Sequence, residues 1–202
     1  TKWSATVTET RRLGEFMQMA FRKAMTGVPG PVFLEVPLDI LMMGAKEVDA
    51  PAPETYRAMH VAAPDADAIA QAVALLEKAE RPVLVVGSQL RWSPDREALR
   101  RLVDRFEVPV FVNGMARGAL PHSHPCSFKR VRGSALKQAD VVLVFGTPFD
   151  FRLNYGRAIP DAAKVIQVDL DPNVLMHNRS VHLAVPGDTG LFLAALERAL
   201  PT

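Results

Sequence analysis

The sequence has little that would cross-link the chain, charge it strongly or anchor it in a membrane. Its single cysteine, Cys126, excludes a disulfide within the chain, which fits a reducing, cytoplasmic compartment. The 24 Lys and Arg residues nearly balance the 22 Asp and Glu residues, so there is no basic field for a nucleic acid. No apolar run approaches the roughly 18 residues of a membrane helix, and no signal peptide is recognisable. We therefore expect neither a nucleic-acid partner nor a membrane.

What the sequence does have is the composition of an ordinary globular protein. Hydrophobic residues make up 49% and charged residues 23% of its 202 residues, enough for one well-cored domain with additional material. The chain begins at Thr1 rather than at a methionine, and we expect it to be a piece of a longer protein.

The first 44 residues predict one helix followed by one strand. Residues 27–30, Gly-Val-Pro-Gly, end the helix because proline cannot continue it, and residues 31–36 then form a short apolar strand. One helix and one strand cannot form a domain, so this segment is expected to need a sheet from outside the chain. Its exposed apolar surface predicts self-association or mobility of the isolated piece. The apolar stripe of the helix consists of Leu13, Phe16, Met17, Ala20 and Ala24.

Residues 45–63 change character and predict a linker between two domains. Pro51 and Pro53 interrupt a segment with little periodicity, which is long for a loop inside a compact domain.

From residue 64 onward, apolar strands alternate with helices. Asp65 is predicted to cap the first helix, and residues 93–95, Ser-Pro-Asp, to open the next. Strands that are apolar along their whole length indicate a parallel sheet covered on both faces. The predicted fold is therefore a doubly wound α/β domain, Rossmann-like, with a parallel sheet of five or six strands. Its strands are predicted at residues 83–87, 108–112, 141–146, 164–168 and 182–185.

Such sheets bind ligands at the carboxyl ends of their strands, and small or polar residues follow the first two strands. Gly87, Ser88 and Gln89 follow the first, where glycine lets a ligand approach the backbone. The G-x-G-x-x-G fingerprint is absent, so a plain turn is an equal alternative. Residues 113–118 follow the second strand and offer an amide and two glycines to a ring or ribose, or merely a loop with positive φ angles.

The third strand is followed by an unusually polar and varied turn, residues 146–152. Its guanidinium, Arg152, could pair with a phosphate in a bidentate way. The alternative is a surface ion pair between Asp150 and Arg152, which would contribute little to stability.

Acidic residues follow the last two strands. Asp169 could accept hydrogen bonds from ribose hydroxyls, as acids at such strand ends do in dinucleotide-binding folds. Asp171 precedes a proline and could equally be a helix cap, and Asp188 is predicted to cap the last helix. Taken together, the five strand ends favour a nucleotide-sized ligand spread over one edge of the sheet.

Two other kinds of site are disfavoured. Residues 122–126, His-Ser-His-Pro-Cys, contain three potential zinc ligands, but no second pair completes a tetrahedral set. There is no G-x-S-x-G elbow and no nucleophile beside a base, so no catalytic residue is assigned to this chain.

Several segments taken as a set are similar to one known family. The chain resembles the central part of thiamine diphosphate enzymes of the acetolactate synthase type, which include oxalyl-CoA decarboxylase and 2-hydroxyacyl-CoA lyases. Residues 113–118 and 149–156 look closest to members that act on 2-hydroxyacyl-CoA. The matching segments are residues 29–39, 81–87, 135–146, 165–172, 178–179 and 187–188.

The resemblance implies a domain organisation and a ligand. Residues 1–44 would be the last helix and strand of the pyrimidine-binding domain, and residues 64–202 the central domain, of the deoxyhypusine synthase-like nucleotide-binding type. Some relatives are flavoproteins in which this domain holds FAD in a structural role. In other relatives the domain holds ADP or CoA, and in others it holds no nucleotide. The positions that match the family's nucleotide contacts are Gly87, Ser88, Gln89, Asn113, Gly114, Met115, Gly146, Thr147, Phe149, Asp150, Arg152, Asp169, Asp171, Gly187 and Asp188.

The resemblance also implies that the chemistry lies elsewhere. In the family, a glutamate of the N-terminal domain and a Gly-Asp-Gly motif of the C-terminal domain serve thiamine diphosphate and Mg²⁺, and residues 187–189, Gly-Asp-Thr, depart from that motif. The parent protein would be a transferase or lyase acting on 2-keto acids or 2-hydroxyacyl-CoA, and a homo-oligomer. This chain, whose partners would be the N- and C-terminal domains, would be inactive alone.

Two alternatives remain beside a nucleotide-binding central domain. The domain could bind no cofactor and only hold the outer domains together. It could also be an NAD-binding oxidoreductase domain, which is disfavoured because the glycine fingerprint is absent and no catalytic acid–base group stands at a strand end.

Overall fold

The computed structural model describes residues 1–46, 55 and 61–201, which fall into two compact units with the boundary between Val61 and Ala62. Most of the predicted linker, residues 45–63, lies outside the described residues. Within the described part of the chain, no helix is both long and apolar enough to cross a bilayer.

The first unit contains a small sheet of its own. Strand β1 (Trp3–Thr6) pairs in parallel with β2 (Val32–Glu35), helix α1 (Leu13–Met25) packs on both, and a short helix α2 (Leu38–Met42) follows. The prediction of one helix and one strand was therefore wrong about β1. That strand is short and alternates in polarity, and it pairs with residues about one helix further along the chain, a contact that local sequence does not reveal.

The second unit is built on five parallel strands, as predicted. The chain runs from β3 outwards to β4, then crosses back over β3 to β5, and continues to β6 and β7, which gives the order β4-β3-β5-β6-β7. The direction of travel reverses between β3 and β5, so the topological switch point lies at the carboxyl ends of these two strands. The strands are β3 (Pro82–Val86), β4 (Val110–Val112), β5 (Val141–Phe145), β6 (Lys164–Asp169) and β7 (Leu183–Pro186).

Acidic side chains accept backbone hydrogen bonds at the start of several helices of this unit. Asp65 accepts a hydrogen bond from Ala68 N at 2.9 Å, which confirms the predicted cap. The helix predicted to open at residues 93–95 begins later, at Ala98, whose amide donates to Asp95 Oδ1 at 3.1 Å. The helices are α3 (Ala66–Leu76), α4 (Ala98–Phe106), α5 (Arg132–Gln138) and α6 (Thr189–Ala199).

Each face of this sheet carries a separate hydrophobic cluster. On one face, alternate residues such as Leu84 and Phe145 pack against α3, α4 and α6, and the rings of Phe145 and Phe192 meet edge to face at 5.4 Å. On the other face, Val83 and Val144 pack against α5 and the segment that follows β5. Burial of each such side chain contributes about 1.5–3 kcal/mol. The two clusters confirm a doubly wound sheet with helices on both faces.

Candidate functional site

The carboxyl ends of β3 and β5 meet in direct contact. Gly87 N donates to Phe145 O at 2.7 Å, and a Cβ at Gly87 would overlap the carbonyl group of Gly146 and the side chain of Thr147. Gly146 adopts a φ of +62°, and a Cβ there would lie 2.7 Å from Gln89 Cβ. Both glycines are thus required by the close approach of two loops at the switch point.

The Gln89 side chain joins the loop after β3 to the end of β6. Its Nε2 donates to Asp169 Oδ1 at 2.6 Å, and its Oε1 accepts from Leu170 N at 2.9 Å. Gln89 and Asp169 are both buried, with exposed fractions of 8% and 1%. The side chain therefore crosses the end of β5, which lies between β3 and β6.

Two buried oxygen atoms beside this bridge have no hydrogen-bond partner in the part of the chain that the structure describes. Asp169 Oδ2 forms no hydrogen bond with a described residue, although Oδ1 of the same carboxyl group also accepts from Asp171 N at 2.8 Å. Thr189 Oγ1, 2.9 Å from the position of a Cβ at Gly146, is likewise unpaired. Burial raises the pKa of Asp169, and the hydrogen bond from Gln89 opposes that shift.

A second group of predicted residues lies where the loops after β3 and β4 meet. Ser88 Oγ accepts from Met115 N at 3.1 Å. Arg132, at the start of α5, donates to Asn113 Oδ1 at 2.6 Å and also to the carbonyl of Arg152. Asn113 is buried, and its Nδ2 has no partner among the described residues. Gly114, next in the chain, lies against the side chain of Ser88.

Arg132 was not among the predicted site residues. The signal that could have found it is the basic run at residues 129–132, Lys-Arg-Val-Arg, just before α5. Val131 adopts a φ of +59°, which is rare for a β-branched residue, and this conformation starts the helix at Arg132.

The two charged side chains of the polar turn after β5, Asp150 and Arg152, form an ion pair with each other. Arg152 Nη2 lies 2.5 Å from Asp150 Oδ2, and its Nε contacts both carboxylate oxygens. This hydrogen bonding lowers the pKa of Asp150. The surface ion pair weighed as an alternative is therefore present. Phe149 is fully buried in the core, so its ring faces away from the solvent at the sheet edge.

The remaining predicted residues after β6 and β7 have capping contacts. Asp171 accepts from Asn173 N at 3.0 Å at the start of a short 3-10 helix. Asp188 caps α6 by accepting from Leu191 N at 2.9 Å, as predicted, and also accepts from Ser93 Oγ at 2.5 Å. Gly187 N donates to the carbonyl of Asp169.

The loops after β3 and β4 also line a cavity of about 400 Å³. Arg91, Arg96 and Arg117 border it together with one acid, Glu97, and none of the three arginines forms an ion pair with a described residue. The cavity is therefore positively charged and suited to an anionic group.

His124 and Cys126, in the loop before α5, are engaged in structural contacts. His124 Nε2 bonds Asp104 Oδ1 at 2.9 Å, and its Nδ1 accepts from Cys126 N at 3.2 Å. Burial raises the pKa of the Cys126 thiol. Among the residues that the structure describes, no group of three or more His, Cys, Asp or Glu side chains could hold a metal ion.

A parallel five-stranded sheet with helices on both faces belongs to the class of doubly wound, Rossmann-like α/β domains. Residues 69–196 match the family described as the central domain of thiamine pyrophosphate enzymes. Since the match covers more than half of the chain, the chain belongs to this family.

Two kinds of relative are similar over nearly the whole chain. The chain is 31% identical to 2-hydroxyacyl-CoA lyase 2 of Bos taurus, over 98% of its own length and 37% of that protein. It is 33% identical to a probable acetolactate synthase of Mycobacterium bovis, over 96% of its length and 36% of that protein. The chain thus spans little more than a third of these relatives.

Solved structures have the same fold. A thiamin diphosphate-dependent enzyme isolated from Mycobacterium smegmatis superposes with a TM-score of 0.75 at 23% identity, over 100% of this chain and 40% of that one. Benzoylformate decarboxylase from Polynucleobacter necessarius gives the same TM-score at 26% identity, with 39% of its chain covered.

Proposed function

We propose that this chain is the nucleotide-binding central domain of a thiamine diphosphate-dependent lyase or transferase. In this proposal it holds an adenosine diphosphate group, as ADP, CoA or the ADP half of FAD, in a structural role. The parent protein is a cytoplasmic homo-oligomer that acts on 2-hydroxyacyl-CoA or 2-keto acids. Residues 1–44 belong to its N-terminal domain, 45–63 to a linker and 64–202 to the central domain.

The observation that carries the nucleotide proposal is the buried carboxylate of Asp169 with an unpaired oxygen. An unsatisfied buried acceptor costs about 1–3 kcal/mol, which a hydrogen bond from a ligand hydroxyl would recover. Asp169 ends β6 next to Gly146, at the edge where this class of sheet binds nucleotides. Carboxylates at this position suit the vicinal hydroxyls of a ribose.

Further groups at the same edge match the remaining parts of a nucleotide. The unpaired Nδ2 of Asn113 is a donor for an acceptor of the ligand, and the hydroxyl of Thr189 can serve as donor or acceptor. The arginine-lined cavity suits phosphate groups, which arginine binds through bidentate hydrogen bonds. The carboxylate of Asp150 already occupies Arg152, which leaves the other arginines as the phosphate ligands in this proposal.

The residues that the structure describes do not fit thiamine diphosphate and its Mg²⁺. The diphosphate needs an oxygen-ligated divalent cation, and Asp188, the one acid of the Gly-Asp-Thr segment, is engaged with Ser93 and the start of α6. We therefore place that cofactor in the other parts of the parent protein, and no chemical step is assigned to this chain.

Calorimetric titration of the complete protein with ADP, CoA, FAD and NAD tests the nucleotide proposal. We expect micromolar binding of ADP, CoA or FAD, and at least tenfold weaker binding by Asp169→Ala. Asp161→Ala, an exposed acid before β6, is the matched control and should bind like the natural protein. Stronger binding of NAD than of the other three would favour the oxidoreductase alternative.

One observation favours a second function, a scaffold domain without a cofactor. The loops after β3 and β5 pack so closely at Gly87 that no side chain fits between them, and Gln89 crosses the end of β5. A domain that only holds its neighbours together would need no opening there. Absence of binding by all four nucleotides at millimolar concentration would support this function.

A further inference from the structure

Gln89 lies beside the carboxylate of Asp169, at the edge of the sheet where the proposed nucleotide would bind. Its side chain passes over Gly146, close enough that a Cβ on that residue would be 2.7 Å from Gln89 Cβ. The positive φ of Gly146 and its missing side chain are what allow this path. The side chain of Gln89 therefore covers the switch point.

Both functional groups of the Gln89 amide are used within the protein. The NH₂ group donates to Asp169 at 2.6 Å, and the carbonyl oxygen accepts from the backbone amide of Leu170 at 2.9 Å. In this arrangement one N–H of the amide occupies Asp169 Oδ1 and the amide oxygen holds Leu170 N, so the Gln89 side chain must leave Oδ1 before another donor can take that position.

As a result, only one of the two oxygens of the Asp169 carboxylate can accept a further hydrogen bond from a ligand. Oδ1 already accepts from Gln89 and from Asp171 N, whereas Oδ2 accepts from no described residue. A vicinal diol bonds both oxygens of a carboxylate, one hydroxyl to each. The NH₂ group of Gln89 occupies the position of one of these hydroxyls.

We infer that Gln89 is an intramolecular competitor of the nucleotide and sets its affinity. When a ribose binds, Gln89 rotates away from Asp169, and one hydroxyl takes its place on Oδ1 while the other bonds Oδ2. Leu170 is half-buried, so its amide N–H then donates to water or to the ligand instead of to Gln89 Oε1. This inference rests on the proposed nucleotide site.

Calorimetric titration of the complete protein with ADP tests it through Gln89→Ala. The variant should bind ADP roughly tenfold more tightly, because binding no longer breaks two hydrogen bonds. Gln71→Ala, the same change at an exposed position of α3, is the matched control and should leave the affinity unchanged. Equal or weaker binding by Gln89→Ala would show that Gln89 supports the site rather than competing for it, and would overturn the inference.

A crystal structure of the natural protein with ADP provides a second measurement that does not depend on the variant folding. The inference requires the Gln89 amide to be out of hydrogen-bonding distance of Asp169 in that complex, and an intact Gln89–Asp169 hydrogen bond would overturn it. Asp169→Ala separates this inference from the proposed function. If ADP binds the natural protein and is lost in Asp169→Ala, the site stands whatever Gln89→Ala shows. If ADP binds neither the natural protein nor Gln89→Ala, the site and the inference fail together.

Discussion

At the residue scale, the switch point combines tight packing with unsatisfied polar atoms. Gly87 and Gly146 let two loops touch, while Asp169 Oδ2 and Thr189 Oγ1 are buried nearby and form no hydrogen bond with any residue the structure describes. Packing of this kind is easily disturbed by one added methyl group, and a buried carboxylate responds to pH. A substitution at Gly87 therefore tests the packing of the switch point, and a substitution at Asp169 tests the charge of its buried carboxylate.

The contact at Gly87 predicts a large cost for one added methyl group. We expect Gly87→Ala to lower the free energy of unfolding by about 1–3 kcal/mol, because its Cβ would overlap the backbone of Gly146. Gly187→Ala is the control at the same edge, since a Cβ there meets nothing within 4 Å, and it should stay within about 0.5 kcal/mol. Urea unfolding followed by circular dichroism measures both, and equal effects would contradict the close packing.

Asp169 predicts a pH dependence of stability with a definite sign. Its pKa in the folded protein is raised above the ordinary value of 3.8, so between the two values the folded state binds more protons than the unfolded state. Its contribution to stability is therefore fully present below pH 3.8 and is lost as the pH rises through the folded pKa.

Asp169→Asn should remove that loss while keeping an acceptor for Gln89 and Asp171. Relative to the natural protein, we expect the variant to gain about 1 kcal/mol at neutral pH and progressively less toward acid. Unfolding curves of both proteins across the acid range measure the difference. A difference that is independent of pH would contradict the raised pKa of Asp169.

At the scale of elements, the sheet was predictable and the small strand was not. The five central strands were predicted within about two residues of their observed bounds, because parallel strands buried on both faces are continuous apolar runs. β1 escaped because four residues of alternating polarity carry no such signal. The candidate site was predictable as loops at one sheet edge. The bond between Gln89 and Asp169 was not, since it depends on β6 lying beside β5.

The helix caps predict unequal costs for two similar substitutions. Asp188→Ala should lower stability by about 2 kcal/mol, since it removes the cap of α6 and leaves the buried hydroxyl of Ser93 without its acceptor. Asp65→Ala removes only the cap of α3 and should cost about 1 kcal/mol. Denaturant unfolding of both variants compares them, and a smaller effect at Asp188 would contradict the role of the Ser93 contact.

At the scale of the whole molecule, the two units differ in how well they cover their apolar residues. The second unit encloses two hydrophobic clusters, whereas the first has a two-stranded sheet, which is too small for independent stability. In that unit Phe33 and Met42 are exposed by 59% and 77%. The curated relatives are more than twice as long as this chain, so the matching surface in them has further protein available to cover it.

The 202-residue chain alone is therefore expected to self-associate through its first unit and to lack catalysis. Light scattering should show oligomers that grow with concentration, and the double variant Phe33→Glu, Met42→Glu should shift them toward monomers, because charges oppose burial of this surface. Met176→Glu is the control, since Met176 is also exposed, at 58%, but belongs to the second unit. Equal suppression by the control would show that association does not depend on the first unit. Formation of acetolactate or cleavage of an acyl-CoA by the isolated chain would contradict the assignment of the chemistry to the other domains.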